Sequence, residues 1–366
     1  MFHHTLPTQS SLLDFSRSGR ALLTAALAVL SCAAASAQTK TWTPTGGSAN
    51  LPGTTNWSPS GAPTATDTVL FSTVAASTLT TGNTLNWGLL SWAANTNTTV
   101  QLSTGASGNR ELTLSGIGGQ LINVSTGTLN ISGTTNGGGF RLGLTLASSG
   151  TVTVGTGASL SISSPMTGSV NVTKAGVGTL LIYGNNQSIY TGTTTVSAGI
   201  LGGTGGVRDV VVQNGGTIAA GGPSTTGTFR SYHLSLDSGS TFALKLNTSV
   251  PQTSLLEATG NLNLSSGAIL SLTDLGSNAA LTLGTTFTFI DYSGSWNGGL
   301  FTYNSTQLAD DAIFAFGANN YQISYNGVDG LTSAVTLTTV VPEPSAALLT
   351  LAGCGVFSLT RRARRS

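Results

Sequence analysis

Charge is scarce in this chain. Lys, Arg, Asp and Glu make up 7% of its 366 residues, against the ~25% usual for a soluble domain. Between residues 38 and 341 there are seven Lys/Arg and ten Asp/Glu, a net charge of −3. With no clustered basic residues to neutralise phosphates, nucleic acid is excluded as a partner. Cysteine is missing from the same span: Cys32 and Cys354 lie in apolar stretches near the two termini. Disulfides therefore cannot stabilise the body, and a two-thiol metal site cannot form in it. Of the three histidines only His233 falls in the body, so a Ser-His-Asp arrangement has a single candidate base. A helical hydrophobic period is also lacking there.

What is present is glycine, 49 residues of it, together with Ser, Thr and Asn and a 39% hydrophobic fraction. That mix would read as low-complexity disorder, except that its apolar residues alternate with period two. Glu111–Gly116 (ELTLSG), Thr128–Gly133 (TLNISG), Thr151–Gly157 (TVTVGTG), Asp209–Gly216 (DVVVQNGG) and Asn261–Gly267 (NLNLSSG) each set Leu, Ile or Val on one side and polar residues on the other, then end in turn residues. The fold class is all-β. Short strands, frequent glycine and units recurring every roughly 15–24 residues match coil-by-coil stacking. They predict a right-handed parallel β-helix (a solenoid). Within it, Leu180, Ile182 and Val196 are expected to face the core, and Thr179, Thr194 and Thr195 the solvent.

Both ends carry export features. Arg17 and Arg20 precede an apolar stretch over 21–35, and Ala35-Ser36-Ala37 offers a signal-peptidase site ahead of Gln38. Lipoprotein processing at Cys32 is the competing reading, weakened by Leu30 two residues before it. At the other end VPEPS (341–345) is followed by an apolar run over 346–359 and by RRARR (361–365). The prolines favour an extended, accessible strip. The apolar run would be about 21 Å as a helix, short of a ~30 Å hydrocarbon core, but Arg361, Arg362, Arg364 and Arg365 can snorkel to the headgroups and hold that end in the cytoplasm.

These three parts in this order resemble the PEP-CTERM sorting signal of Gram-negative bacteria. The resemblance covers 26 residues and implies a transient inner-membrane anchor with one short transmembrane helix. It further implies processing at Pro342, Glu343 and Pro344 by an exosortase-type membrane protease, after delivery by the export machinery. An ordinary tail-end anchor is the plainer alternative. A second segment, Lys174–Leu201 (KAGVGTLLIYGNNQSIYTGTTTVSAGIL), resembles the autotransporter-associated β-strand repeat at Gly176, Gly178, Thr179, Leu180, Ile182, Gly184, Asn186, Tyr190, Thr191, Gly192, Thr194, Val196, Gly199 and Leu201. It departs from the repeat by two extra residues between Asn186 and Tyr190, expected to bulge the turn. The resemblance implies a β-helical passenger segment, here without a translocator barrel. Residues 42–71, with Trp42, Asn56, Trp57 and Phe71, resemble the opening unit that precedes such repeats, and 255–338 resemble their usual ending.

The expected organisation is a signal peptide (1–37), an N-terminal β unit (38–80), a solenoid (81–230), a C-terminal β region forming a cap or small sandwich (231–340) and the sorting signal (341–366). No concentrated chemistry is legible in the body. Asp310-Asp311 reads as a turn, Arg110-Glu111 and Arg208-Asp209 as solvated strand ends, and His233 as an outward strand residue. No catalytic, metal or cofactor residue is predicted. The reading favoured is a non-catalytic protein of the cell surface or extracellular matrix, associated with exopolysaccharide or adhesion. The alternative is a carbohydrate-active β-helix lyase or hydrolase.

Overall fold

The computed structural model describes residues 36–43, 51–76, 78–102, 110–133, 142–329 and 332–341. From Thr39 onward these belong to one compact unit. Among them regular structure is β apart from one turn of 3-10 helix at Thr54–Asn56. No helix among the described residues is long and apolar enough to cross a membrane. The apolar run over 346–359, where the sequence predicts such a helix, lies outside the described residues, as does the stretch over 21–35.

The strands stack into long parallel ladders, an arrangement compatible with a β-helix. Ladder A begins with Thr39–Trp42, which pairs with Thr68–Phe71, and continues through Leu89–Trp92, Gln120–Val124, Gly150–Val154, Val172–Ala175, Thr193–Val196, Asp209–Val212, His233–Leu236 and Leu262–Leu264. Ladder B takes the strand that follows each of these from Thr68–Phe71 onward, from Thr78–Thr80 through Thr179–Ile182 and Gly199–Gly203 to Ala268–Asp274, and ends with Phe301–Tyr303. A third ladder, C, supplies Leu85–Trp87, Arg110–Leu114, Leu142–Leu146 and Met166–Thr167. It then thins to single bridges, Gly168 to Tyr190, Asn185 to Gly206 and Gly206 to Arg230. It widens again at Thr228–Ser231, Leu255–Ala258 and Thr286–Tyr292. Ladder A passes without a break through positions 80 and 230, and ladder B through 230. At Thr286–Tyr292 the pairing turns antiparallel, with Thr332–Thr339, Asn319–Asp329 and Ile313–Phe316 added in turn.

Coil length differs from the sequence expectation. Hydrogen bonds between neighbouring coils join residues 22 apart at Ser149 and Asn171, but 33 apart at Trp92 and Ser125 and 34 apart at Asn261 and Ser295. The longer coils run through a longer ladder C strand, Arg110–Leu114 or Thr286–Tyr292, where the 22-residue coil has only Met166–Thr167.

The inward rows form one continuous core. Leu180, Ile182 and Val196 are buried as expected, each worth about 1.5–3 kcal/mol when fully removed from water. Thr194 corrects the register: it is 4% exposed and points inward, whereas Thr193 and Thr195 are half-buried on the outer face. Parity is the reason. Side chains alternate along a strand, so Thr194 must share a face with Val196 two residues on. The core is aliphatic in its middle and aromatic towards each end. Trp42, Trp57, Phe71, Trp87 and Trp92 interlock in the first coils, with Trp42 and Trp57 edge-to-face at 4.9 Å. Phe242, Phe289, Phe301 and Tyr325 do the same in the last.

In the repeat-like segment, coil spacing dictates glycine. A Cβ on Gly192 would collide with the Val170 carbonyl oxygen, and Gly176 adopts φ +72° with the Val154 carbonyl oxygen also too close for a Cβ. Asn186 is 1% exposed; its Oδ1 accepts the Met166 N–H at 2.9 Å and its Nδ2 donates to the Gly184 carbonyl at 2.9 Å. The two extra residues are absorbed by a turn closed on the Asn186 carbonyl, which accepts the N–H groups of Ile189 and Tyr190 at 3.1 and 2.8 Å.

Candidate functional site

The sequence places its functional residues at the two ends, and the structure describes little of either. Ala37 lies in an exposed stretch without regular structure ahead of Thr39, and Val341, just past the last strand, is 63% exposed. Cys32, Ala35, Pro342, Glu343, Pro344, Arg361, Arg362, Arg364 and Arg365 lie outside the described residues.

Within the body, residues at or just before the start of successive ladder A strands stand directly above their counterparts one coil earlier. The pairs Gly150/Val172, Val172/Thr194, Val210/Leu234, Leu234/Leu262 and Leu262/Trp296 fix this register. One position before them runs a polar column: Ser149, Asn171, Thr193, Asp209, His233, Asn261 and Ser295. Its side chains accept the backbone N–H of the next coil. Ser149 Oγ takes Asn171 at 3.1 Å, Asn171 Oδ1 takes Thr193 at 3.0 Å, and Asp209 Oδ1 takes His233 at 3.2 Å. His233 Nδ1 takes Asn261 at 3.0 Å and Asn261 Oδ1 takes Ser295 at 3.0 Å. His233 is therefore committed to holding two coils together, with its proton on Nε2. Backbone donors at the corner, which would otherwise need water, are satisfied in this way.

Charged groups gather beside this column. The Arg208 guanidinium lies 4.9 Å from the centroid of the Tyr232 ring, and that ring is 4.3 Å from His233. On ladder C, Arg230 pairs with Glu257 at 3.0 Å. Glu257 is in register with Asp291 on the next strand, so the two acids occupy neighbouring positions on one face of the ladder. Asp291 Oδ1 is buried with no hydrogen-bond partner. The sequence did not bring these three residues together, since they are spread over more than sixty positions. Glu111 accepts a hydrogen bond from Thr145 at 3.3 Å, and the side chain of Arg110 lies outside the described residues. Asp310 accepts the Tyr325 N–H at 2.9 Å while Asp311 turns the chain at φ 62°. Among the described residues no group of three or more His, Cys, Asp or Glu is placed to hold a metal ion.

Lys174, which opens the repeat-like segment, is fully buried. Its ammonium donates to the carbonyls of Gly176 at 2.6 Å, Ala175 at 3.0 Å and Ala198 at 3.0 Å. Burial pushes its pKa down to about 8. Three neutral oxygens satisfy the donors without neutralising the charge, so Lys174 ties two turns together at an electrostatic cost. Lys40 and Lys245 act alike on the carbonyls of Ser60 and Ala220, at 3.0 and 2.9 Å.

These geometries assign most body residues that could do chemistry to joining coils. The outer rows that remain are hydroxyl and amide. No family model matches the chain, and no curated protein is similar to it.

Proposed function

We propose that this is a non-catalytic exported protein of the Gram-negative cell surface or extracellular matrix. It is a right-handed β-helix closed by the antiparallel strands of residues 286–339, and a PEP-CTERM-type tail with a short transmembrane helix delivers it. Exosortase-type processing at Pro342, Glu343 and Pro344 would release the body, leaving it associated with exopolysaccharide or engaged in adhesion. The observation that carries this reading is the tail itself: VPEPS, an apolar run and RRARR in that order. The body is consistent with it. A long neutral surface of Thr, Ser and Asn suits repeated weak contacts with a hydrated polymer.

The test is fractionation of cells expressing tail variants. Replacing Arg361, Arg362, Arg364 and Arg365 with Ser should let the chain pass through without pausing in the membrane, since each arginine costs about 2.5–3.5 kcal/mol at the bilayer centre. Glu343→Ala should stay anchored and unprocessed. If both variants partition like the wild type, the tail is a passive anchor.

One observation favours the enzyme alternative. Glu257 and Asp291 stand side by side in register on ladder C, and paired carboxylates are what glycoside hydrolysis uses. Arg230 already pairs with Glu257, which counts against it as a nucleophile or acid. Release of sugar by the wild type, abolished in Glu257→Gln, would make this reading the correct one.

A further inference from the structure

Ladder B ends unevenly. Ala268–Asp274 is seven residues long, yet Phe301–Tyr303 pairs with it only at Ala268 and Ile269. The chain then turns back at Asn304 and Ser305 to pair Thr306–Gln307 against Phe301–Tyr303. Both turn residues hold left-handed backbone, φ 47° and 64°, which non-glycine residues rarely adopt. Because the hairpin stops short, Leu270–Asp274 has no further strand on that side among the described residues. A groove of about 430 Å3 opens there, lined by Ile269, Ser271, Leu272, Thr302, Tyr303 and Asn304. Its size falls within the range of small-ligand sites.

We infer that this groove binds a short stretch of neutral polysaccharide. The inference rests on the reading of the chain as a polysaccharide-associated surface protein, and it names the place and the chemistry of that contact. A sugar ring is amphipathic, with C–H faces that pack on aromatic or aliphatic surface and hydroxyls that exchange hydrogen bonds with hydroxyl and amide groups. The groove offers both. Ile269, 40% exposed on the outer face, and Tyr303, which packs on the core from the opposite face, border the groove on its two sides and supply the apolar surface. Ser271, Thr302 and Asn304 supply neutral donors and acceptors. The Tyr303 ring is held in place beforehand, 4.8 Å from Phe314 and with its hydroxyl 3.5 Å from the Ala315 carbonyl, so little order is lost on binding.

Charge selects the class of sugar. None of the lining residues is ionisable apart from the Tyr303 phenol, so an acidic polymer would be desolvated without a countercharge. The nearest carboxylate in the strand, Asp274, is taken up by its own loop. It accepts from the backbone N–H groups of Thr248, Gly276 and Asn278 at 2.9, 2.8 and 2.8 Å, and from the Thr248 hydroxyl at 2.6 Å. Its negative charge at the groove end disfavours uronates further.

The experiment is calorimetric titration of the full chain with a neutral glucose hexasaccharide and, in parallel, with hexagalacturonate. The neutral probe should bind and the acidic one should not. Tyr303→Ala and Ile269→Arg should each weaken the neutral probe about tenfold, the loss expected for removing or blocking one aromatic platform. Ile269 points outward, so Ile269→Arg keeps the test open if Tyr303→Ala fails to fold. Tyr183→Ala, which removes an exposed ring elsewhere, should change nothing. Binding of the neutral probe that neither groove variant weakens overturns the inference and leaves the surface-protein reading intact. Equal binding of hexagalacturonate overturns it too. Self-association abolished by Ile269→Arg, with no sugar bound, would assign the groove to a second copy. Failure of the wild type to bind either probe or any polysaccharide extracted from a producing cell would remove both readings.

Discussion

The Nδ1 atom of His233 accepts the backbone N–H of Asn261 at 3.0 Å, one coil further along the chain. An isolated histidine in a hydrolase-prone fold invites a catalytic reading. Its position in the column from Ser149 to Ser295 gives it a structural one instead, shared with Asn171, Asp209 and Asn261. The equivalence can be tested by exchange. His233→Ala should lower stability by about 1 kcal/mol, the usual net loss for one such bond. His233→Asn should recover most of it, because asparagine already does the same job one coil further on. Denaturant midpoints for the three proteins decide this, and a His233→Asn as weak as His233→Ala would contradict the column.

Register along Thr193–Val196 gives a second prediction. Thr194→Asp should cost several kcal/mol, on the order of Leu180→Asp, because each buries an unpaired charge. Thr195→Asp, on the outer face, should stay within about 0.5 kcal/mol of the wild type. Thermal unfolding separates the two. Equal effects of Thr194→Asp and Thr195→Asp would mean the strand is shifted by one residue.

Lys174 makes stability depend on pH in a definite direction. Its folded pKa of about 8 lies below the ordinary 10.5, so between these values the unfolded chain binds the proton and the folded chain does not. Stability must rise with pH through that window. Below it, both states carry the charge and the burial cost is paid in full. Compared with Lys174→Met, the wild type should gain up to about 3 kcal/mol between pH 8 and 10.5, at ~1.4 kcal/mol per unit. The difference between the two proteins cancels other groups, including Tyr190, whose pKa burial pushes up to about 12. A difference independent of pH would show that the amine reaches water.

Much of this fold is legible in the residues. Period-two alternation marked Thr128–Gly133 and Asp209–Val212 as strands, and the inward setting of Leu180, Ile182 and Val196 followed from it. Thr194 departs from the expectation because a hydroxyl does not override parity: Val196, two residues away on the same strand, fixes its face. Which strands become neighbours is a different matter. Alternation carries no information on coil length, so the third ladder, and with it the meeting of Arg230, Glu257 and Asp291, stayed hidden. The column of polar residues is findable: its members from Ser149 to Asn261 stand at or just before the start of a ladder A strand. It is not a motif within any one strand, and it emerges only when coils are aligned. The proposed sorting signal is the reverse case, because an apolar run flanked by prolines and arginines needs no long-range partner to resemble one.

The most direct measurement follows the chain in living cells. Mass and location would be determined in a producing strain and in one lacking its exosortase-type protease. The account predicts a body shortened by the tail and recovered outside the inner membrane in the first strain. In the second, the chain should keep residues 341–366 and remain in the membrane fraction. The same mass and the same fraction in both strains would contradict it.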